Sequence, residues 1–144
     1  MKTNRFIAFT AVIICLILSV PQGCGSAKKT AGSQLSFTSV SFGKKGGFTN
    51  QTEMYILRNN GQLLKMENGA EIDLGTVKKA RLSEIDRQLS GCGFRELSFS
   101  ETGNMTYFIT VTYSEGSNTV NWTTGSDLPA IKELYSVLTS LLKI

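Results

Sequence analysis

Asn60-Gly61 does most to constrain the fold of this chain. An Asn-Gly pair between two apolar runs is the strongest short-range signal for a β-hairpin, because both residues tolerate the left-handed backbone such turns need. The flanking runs are Thr52 to Arg58, carrying Met54, Tyr55, Ile56 and Leu57, and Gln62 to Glu67. A second turn signal, Asn68-Gly69, leads into a short strand over about Glu71 to Leu74. Upstream, Leu35 and Phe37 share one parity while Val40 and Phe42 share the other. This predicts a strand from Leu35 to Gly43 with a bulge near Thr38 and Ser39 that exchanges its faces. The first half therefore reads as a meander of four antiparallel strands.

The apolar period then changes. Leu82, Ile85, Leu89 and Cys92 recur at helical spacing, predicting an amphipathic helix over Lys78 to Ser90, ended by Gly91 and Gly93. Cys92 on its apolar face is expected to act as a small buried hydrophobe rather than a reactive thiol. Phe94 to Ser100 is a connector. Thr106 to Tyr113 alternates strictly, with Ile109 expected toward the helices, and Glu115 to Asn118 turns it back into Thr119 to Thr123, where Trp122 is also expected inside. Ser126-Asp127 is placed as the N-cap of a last helix with Pro129 in its first turn and a stripe from Leu128 to Leu142. The expected fold is α+β, an antiparallel sheet of about six strands in the order ββββ-α-ββ-α with two helices packed on one face.

The N-terminus sets the destination. Lys2 and Arg5 precede an apolar run of about fifteen residues, Phe6 to Val20, that Pro21 and Gly23 break before Cys24, the proportions of an export signal and short for a membrane span. Gly23-Cys24 resembles the end of a bacterial lipobox, although Pro21 stands where that family carries an aliphatic residue. The resemblance implies lipidation at Cys24 and a membrane-anchored protein of the bacterial cell envelope. Two alternatives stay open: cleavage after Ala27, giving a secreted or periplasmic form, and an uncleaved anchor. Of the three cysteines, Cys15 lies in the apolar run and only Cys92 in the body, so the domain contains no disulfide pair and Cys24 is free for acylation. The organisation expected is a signal over 1–23, a lipidated Cys24 with a flexible tether over 24–34, and one α+β domain over 35–144.

Composition excludes several chemistries. The 144 residues include no histidine, which removes Ser-His-Asp and Cys-His machinery and His-ligated zinc. A single body cysteine cannot build a thiolate metal site, so no metal or cofactor is expected. Carboxylate, lysine or tyrosine chemistry survives, but so small a domain rarely encloses such a cleft, and a non-enzyme is expected. Removing Lys2 and Arg5, with no acid before Cys24, takes the formal charge from +4 to +2. The lysine pairs are scattered among acids, so no nucleic-acid partner is expected. Three Asn-x-Thr triplets carry no information in a bacterial envelope context.

One stretch exceeds the needs of a plain turn. Lys44-Lys45-Gly46-Gly47-Phe48 places two glycines before a large aromatic, and two readings follow: the glycines relieve a bulge while Phe48 tucks against the sheet, or Phe48 is an exposed anchor flanked by Lys44 and Lys45 that favours an acidic-rimmed pocket.

Gly46-Gly47-Phe48-Thr49, the run from Gly103 to Ile109, and Leu128-Pro129-Ala130 resemble small uncharacterised lipoproteins of Gram-negative bacteria. More distantly, the Gly-Gly-Phe, the Tyr107 to Val111 strand and the terminal Leu-Pro helix are similar to emfourin, a protein inhibitor of thermolysin-like metallopeptidases. The resemblance spans most of Leu35 to Ile144, and no inhibitory residue carries over to a matched position. It implies a non-enzymatic protein-binding domain, with an envelope or secreted protein such as a peptidase as partner. The competing reading is a structural envelope lipoprotein whose interactions are with membrane and self.

Overall fold

A computed structural model of the protein describes residues 34–47 and 51–143. Six strands, β1 (Ser39–Gly46), β2 (Gln51–Arg58), β3 (Gln62–Glu67), β4 (Ala70–Thr76), β5 (Met105–Tyr113) and β6 (Gly116–Trp122), form one antiparallel sheet in the order β4-β3-β2-β1-β5-β6. Two helices, α1 (Lys79–Gly91) and α2 (Pro129–Ser140), complete the α+β fold. The pairing of β1 with β5 makes the first strand central and joins the N-terminal meander to the β5–β6 hairpin.

The turns follow their residues. Asn68 and Gly69 both have positive φ, 52° and 81°, as a two-residue hairpin with an Asn-Gly centre requires. At Asn59-Asn60-Gly61 only Gly61 is left-handed (φ 94°), which makes a three-residue loop closed by Gly61 N–H to Arg58 O at 2.9 Å.

One apolar core lies between the helices and one sheet face. Val40 and Phe42 of β1, Leu57 of β2, Leu63 of β3, Ile109 and Val111 of β5, and Val120 and Trp122 of β6 meet Leu82, Ile85 and Leu89 of α1 and Ile131, Leu134 and Leu138 of α2. Fully burying such a side chain contributes about 1.5–3 kcal/mol. Ile109 and Trp122 stand on the helix side, as their parity required.

Four details differ from the sequence expectation. β1 starts at Ser39, and the parity change that suggested a bulge marks the start of the strand instead. Leu35 and Phe37 belong to an approach segment, with Phe37 entering the core and Ser36 N–H bonded to Asp86 Oδ1 of α1 at 2.9 Å. The irregular register falls between Leu63 and Leu64 opposite β4, where Gly75 takes φ 122°. The β5–β6 connection is only Ser114-Glu115, shorter than expected, because Gly116 (φ 140°) already pairs with Tyr113. Ser126 is not the cap of α2. The cap position is Leu128, and Ser126 Oγ accepts the Thr123 N–H at 2.9 Å and donates to Glu101, bracing the loop after β6.

Candidate binding surface

Lys44 to Gly46 is strand rather than loop, and Gly47 is the turn residue that follows it. Lys44, Lys45 and Gly46 end β1 and are hydrogen-bonded between β2 and β5, opposite Glu53, Thr52 and Gln51 on one side and Tyr107, Thr106 and Met105 on the other. Strand alternation therefore sends Lys44 and Lys45 to opposite faces, so they do not form one cationic flank. Lys44 Nζ pairs with Glu53 at 3.0 Å, and Tyr55 Oη donates to the same carboxylate at 2.6 Å. That Tyr55 bond, then Lys44, hold the Glu53 carboxyl below its usual range, while the hydrogen bond to Glu53 raises Lys44. Both side chains are more than two-fifths exposed, so the ion pair contributes at most about 1 kcal/mol.

The two glycines have a structural cause. Gly46 (φ 102°) lies so close to the start of β5 that a Cβ there would stand 2.3 Å from Asn104 O, and the Gly47 N–H donates to that same carbonyl at 2.6 Å. Gly47 (φ 76°) would bring a Cβ to 3.2 Å from Met105 Cε. The pair fastens the end of β1 to the entry of β5: the close approach to Asn104 excludes a Cβ at Gly46, and the left-handed backbone favours glycine at Gly47. Phe48 lies outside the described residues, as does Cys24.

Behind this turn, on the helix side, an aromatic cluster closes the core. Tyr135 of α2 meets Trp122, Tyr107 and Phe42 edge-on at centroid distances of 5.2, 5.6 and 6.5 Å, while Tyr107 stacks on Trp122 and Phe42 on Tyr55. Burial, with Glu53 nearby, pushes the Tyr135 and Tyr55 phenols up to about 12. At the adjoining end of the sheet, an open hollow of about 590 Å³ is lined by Lys44, Gln51, Glu53, Lys65, Glu67 and their neighbours. Its charges pair among themselves, Lys65 with Glu67 at 3.4 Å as Lys44 with Glu53.

The opposite face of the sheet has another character. Across β3, β2 and β5 it carries Met66, Met54 and Phe108 in one cross-strand row, with Gly43 between the last two, and Leu64 and Ile56 in the next row. Leu64 and Phe108 are only 2% and 9% exposed, yet neither belongs to the cluster that the helices cover. Met54, Ile56 and Met66 beside them are half-buried. Gly43 keeps the strands close there, since a Cβ would sit 1.9 Å from Glu53 O. The signal for this face was present in the sequence as adjacent apolar residues of opposite parity, Leu63-Leu64, Ile56-Leu57 and Phe108-Ile109, which mark strands apolar on both faces.

Cys92 lies just past α1 as its C-cap and is half-buried rather than buried, packed against the edge of the core with its Sγ 3.5 Å from Leu89 O and its thiol raised by burial. Among the described residues no group of three His, Cys, Asp or Glu side chains is placed to hold a metal ion, and no helix is long and apolar enough to cross a membrane. No protein-family model and no curated protein sequence matches the chain.

Proposed function

We propose that the protein is a lipid-anchored lipoprotein of the bacterial cell envelope carrying a small, non-enzymatic protein-binding domain. The observation that supports the binding role is the apolar sheet face formed by Met54, Ile56, Leu64, Met66 and Phe108, which neither α1 nor α2 covers. A two-layer fold needs one apolar sheet face for its helices, and here the second face also carries apolar side chains, Met54, Ile56 and Met66 half-buried beside buried Leu64 and Phe108, which a partner could cover. The anchor rests on the signal-like segment ending in Gly23-Cys24. The similarity to emfourin makes a metallopeptidase of the envelope or medium the first partner to assay, through inhibition by the purified protein.

The test is capture from envelope extract with the full chain. Ile56→Glu puts a charge on the open face and is expected to abolish retention while leaving the melting temperature within a few degrees of wild type. Equal retention by a folded Ile56→Glu protein removes the face as the binding site. Cys24→Ser tests the anchor separately. It is expected to leave the protein unprocessed or soluble, and a cleaved variant of normal mass that still partitions into detergent contradicts lipidation.

A further inference from the structure

The two edges of the sheet are treated differently. β6 is guarded: Ser100 bridges Asn121, Glu101 N–H donates to Asn121 O at 3.0 Å, and Asn118 Nδ2 holds the connector by donating to Phe94 O and Leu97 O at 2.6 and 2.9 Å. β4 at the other end has no backbone partner on its outer side among the described residues, and all seven of its residues are exposed. Ile72 and Leu74, at 40% and 41%, are the large hydrophobic side chains that stand out into solvent there.

Edge strands are ordinarily blunted by lysine, proline or a bulge. β4 contains neither lysine nor proline, and its irregularity lies at the Leu74-Gly75 end, leaving Ala70 to Asp73 in regular register with β3. Its own charges are all acidic, with Arg58 of β2 paired to Glu71 and Lys65 of β3 to Glu67, so that Asp73 is the acid with no cation against it among the described residues. From Glu67 to Thr76 the chain carries Glu67, Glu71 and Asp73 and no cation. Glu71 and Asp73 lie on the face away from α1 and α2, opposite Met66 and Leu64, while Ile72 lies on the helix side opposite Lys65. The carboxylates are held in place: Arg58 Nη2 donates to both oxygens of Glu71 at 2.9 Å, and Asp73 accepts from Gln62 Nε2 at 3.1 Å and Gly75 N–H at 2.7 Å.

We propose that the β4 edge binds an extended segment of a partner protein as a seventh strand, and that this segment alternates cationic with aliphatic residues. Backbone hydrogen bonds supply the pairing and the alternating side chains the selectivity, as in other strand additions. The cations fall opposite Glu71 and Asp73 and the aliphatic residues beside Ile72. Charge argues against a second copy of this chain as the occupant. Antiparallel pairing centred on Ile72 sets each Glu71 against the other copy's Asp73, and pairing centred on Asp73 sets like against like, both unfavourable across a strand pair.

The inference rests on the binding-module reading but fails separately from it. Hydrogen exchange read by mass spectrometry, on the full chain in detergent, is to be measured with a blocked octapeptide alternating Lys and Val and with its Glu-Val counterpart. The Lys-Val peptide is expected to protect the amides of Ala70 to Asp73 and the Glu-Val peptide to leave them unchanged. Ile72→Lys, and independently Leu74→Lys, should weaken that binding at least about tenfold with an unchanged melting temperature, because each sets a cation at the edge. Protection elsewhere but not in β4, no protection at millimolar peptide, equal protection by Glu-Val, or protection of β4 on raising protein concentration alone overturns the proposal. Loss of capture by Ile56→Glu with no β4 protection keeps the binding module and removes only this strand addition.

Discussion

Replacing Gly46 with alanine tests whether the double glycine is a fastening of the fold. Alanine at φ 102° occupies a backbone region costing about 1–3 kcal/mol. The new Cβ also meets Asn104 O at 2.3 Å, so the end of β1 must withdraw from β5 and give up the Gly47 to Asn104 hydrogen bond, a further loss of about 1 kcal/mol. The expected destabilisation is about 2–4 kcal/mol, which in urea unfolding appears as a midpoint lowered by roughly 1–3 M at unchanged slope. Gly69→Ala supplies the control. Gly69 has a comparable φ of 81° with nothing within 4 Å of its would-be Cβ, so it isolates the conformational part and is expected to cost about 1 kcal/mol. If Gly46→Ala unfolds no more easily than Gly69→Ala, the close approach to Asn104 does not hold the sheet together and the steric account of the pair is wrong.

Other consequences follow from the core, the guarded edge and the aromatic cluster. Ile109 of β5 is fully buried between Phe42 of β1 and Val120 of β6, so Ile109→Ala is expected to cost about 2–5 kcal/mol by denaturant titration, and a loss below about 0.5 kcal/mol contradicts its placement. Asn118→Ala removes the side-chain donor from the Leu97 carbonyl and leaves Phe94 O only the long bond from Leu97 N–H at 3.4 Å; a loss of about 1–3 kcal/mol and faster amide exchange over Phe94 to Glu101 are expected, and unchanged exchange there refutes the bracing role. The Tyr55 and Tyr135 phenols are raised from 10 to about 12, so the folded state resists their ionisation. Their contribution to stability is complete below pH 10 and is lost as pH rises toward 12, measurable as a falling denaturation midpoint that Tyr135→Phe makes shallower.

Much of this architecture was legible because period and turn chemistry agreed. The Asn-Gly signals fixed the meander, the helical spacing of Leu82, Ile85 and Leu89 marked α1, and strict alternation located β5 with Ile109 inward. What was misread involves contacts distant in sequence. Lys44 to Gly46 looked like a loop because a Lys-Lys-Gly-Gly run is polar and permissive. It is a strand because β5, about sixty residues later, supplies a second partner and Asn104 a close neighbour. Ser126 looked like a cap because it precedes Pro129, but Glu101 from the connector draws its hydroxyl away. Likewise the open apolar face escaped notice because each strand's parity was assigned to a single buried side, although neighbouring apolar residues such as Leu63-Leu64 indicated two. The guarding of β6 by Asn118 left no local trace, as a side chain reaching carbonyls twenty-one and twenty-four residues away follows no short-range pattern.

Site-specific photo-crosslinking in intact cells tests the central claim, that the sheet face away from α1 and α2 meets the partner, most directly. A photoreactive residue replacing Ile56, at the centre of that face, is compared with one replacing Arg87, exposed on α1. The account predicts a discrete adduct with another protein from Ile56 and none from Arg87. Adducts from Arg87 alone, or none from Ile56 when the protein is folded and normally abundant, contradict it.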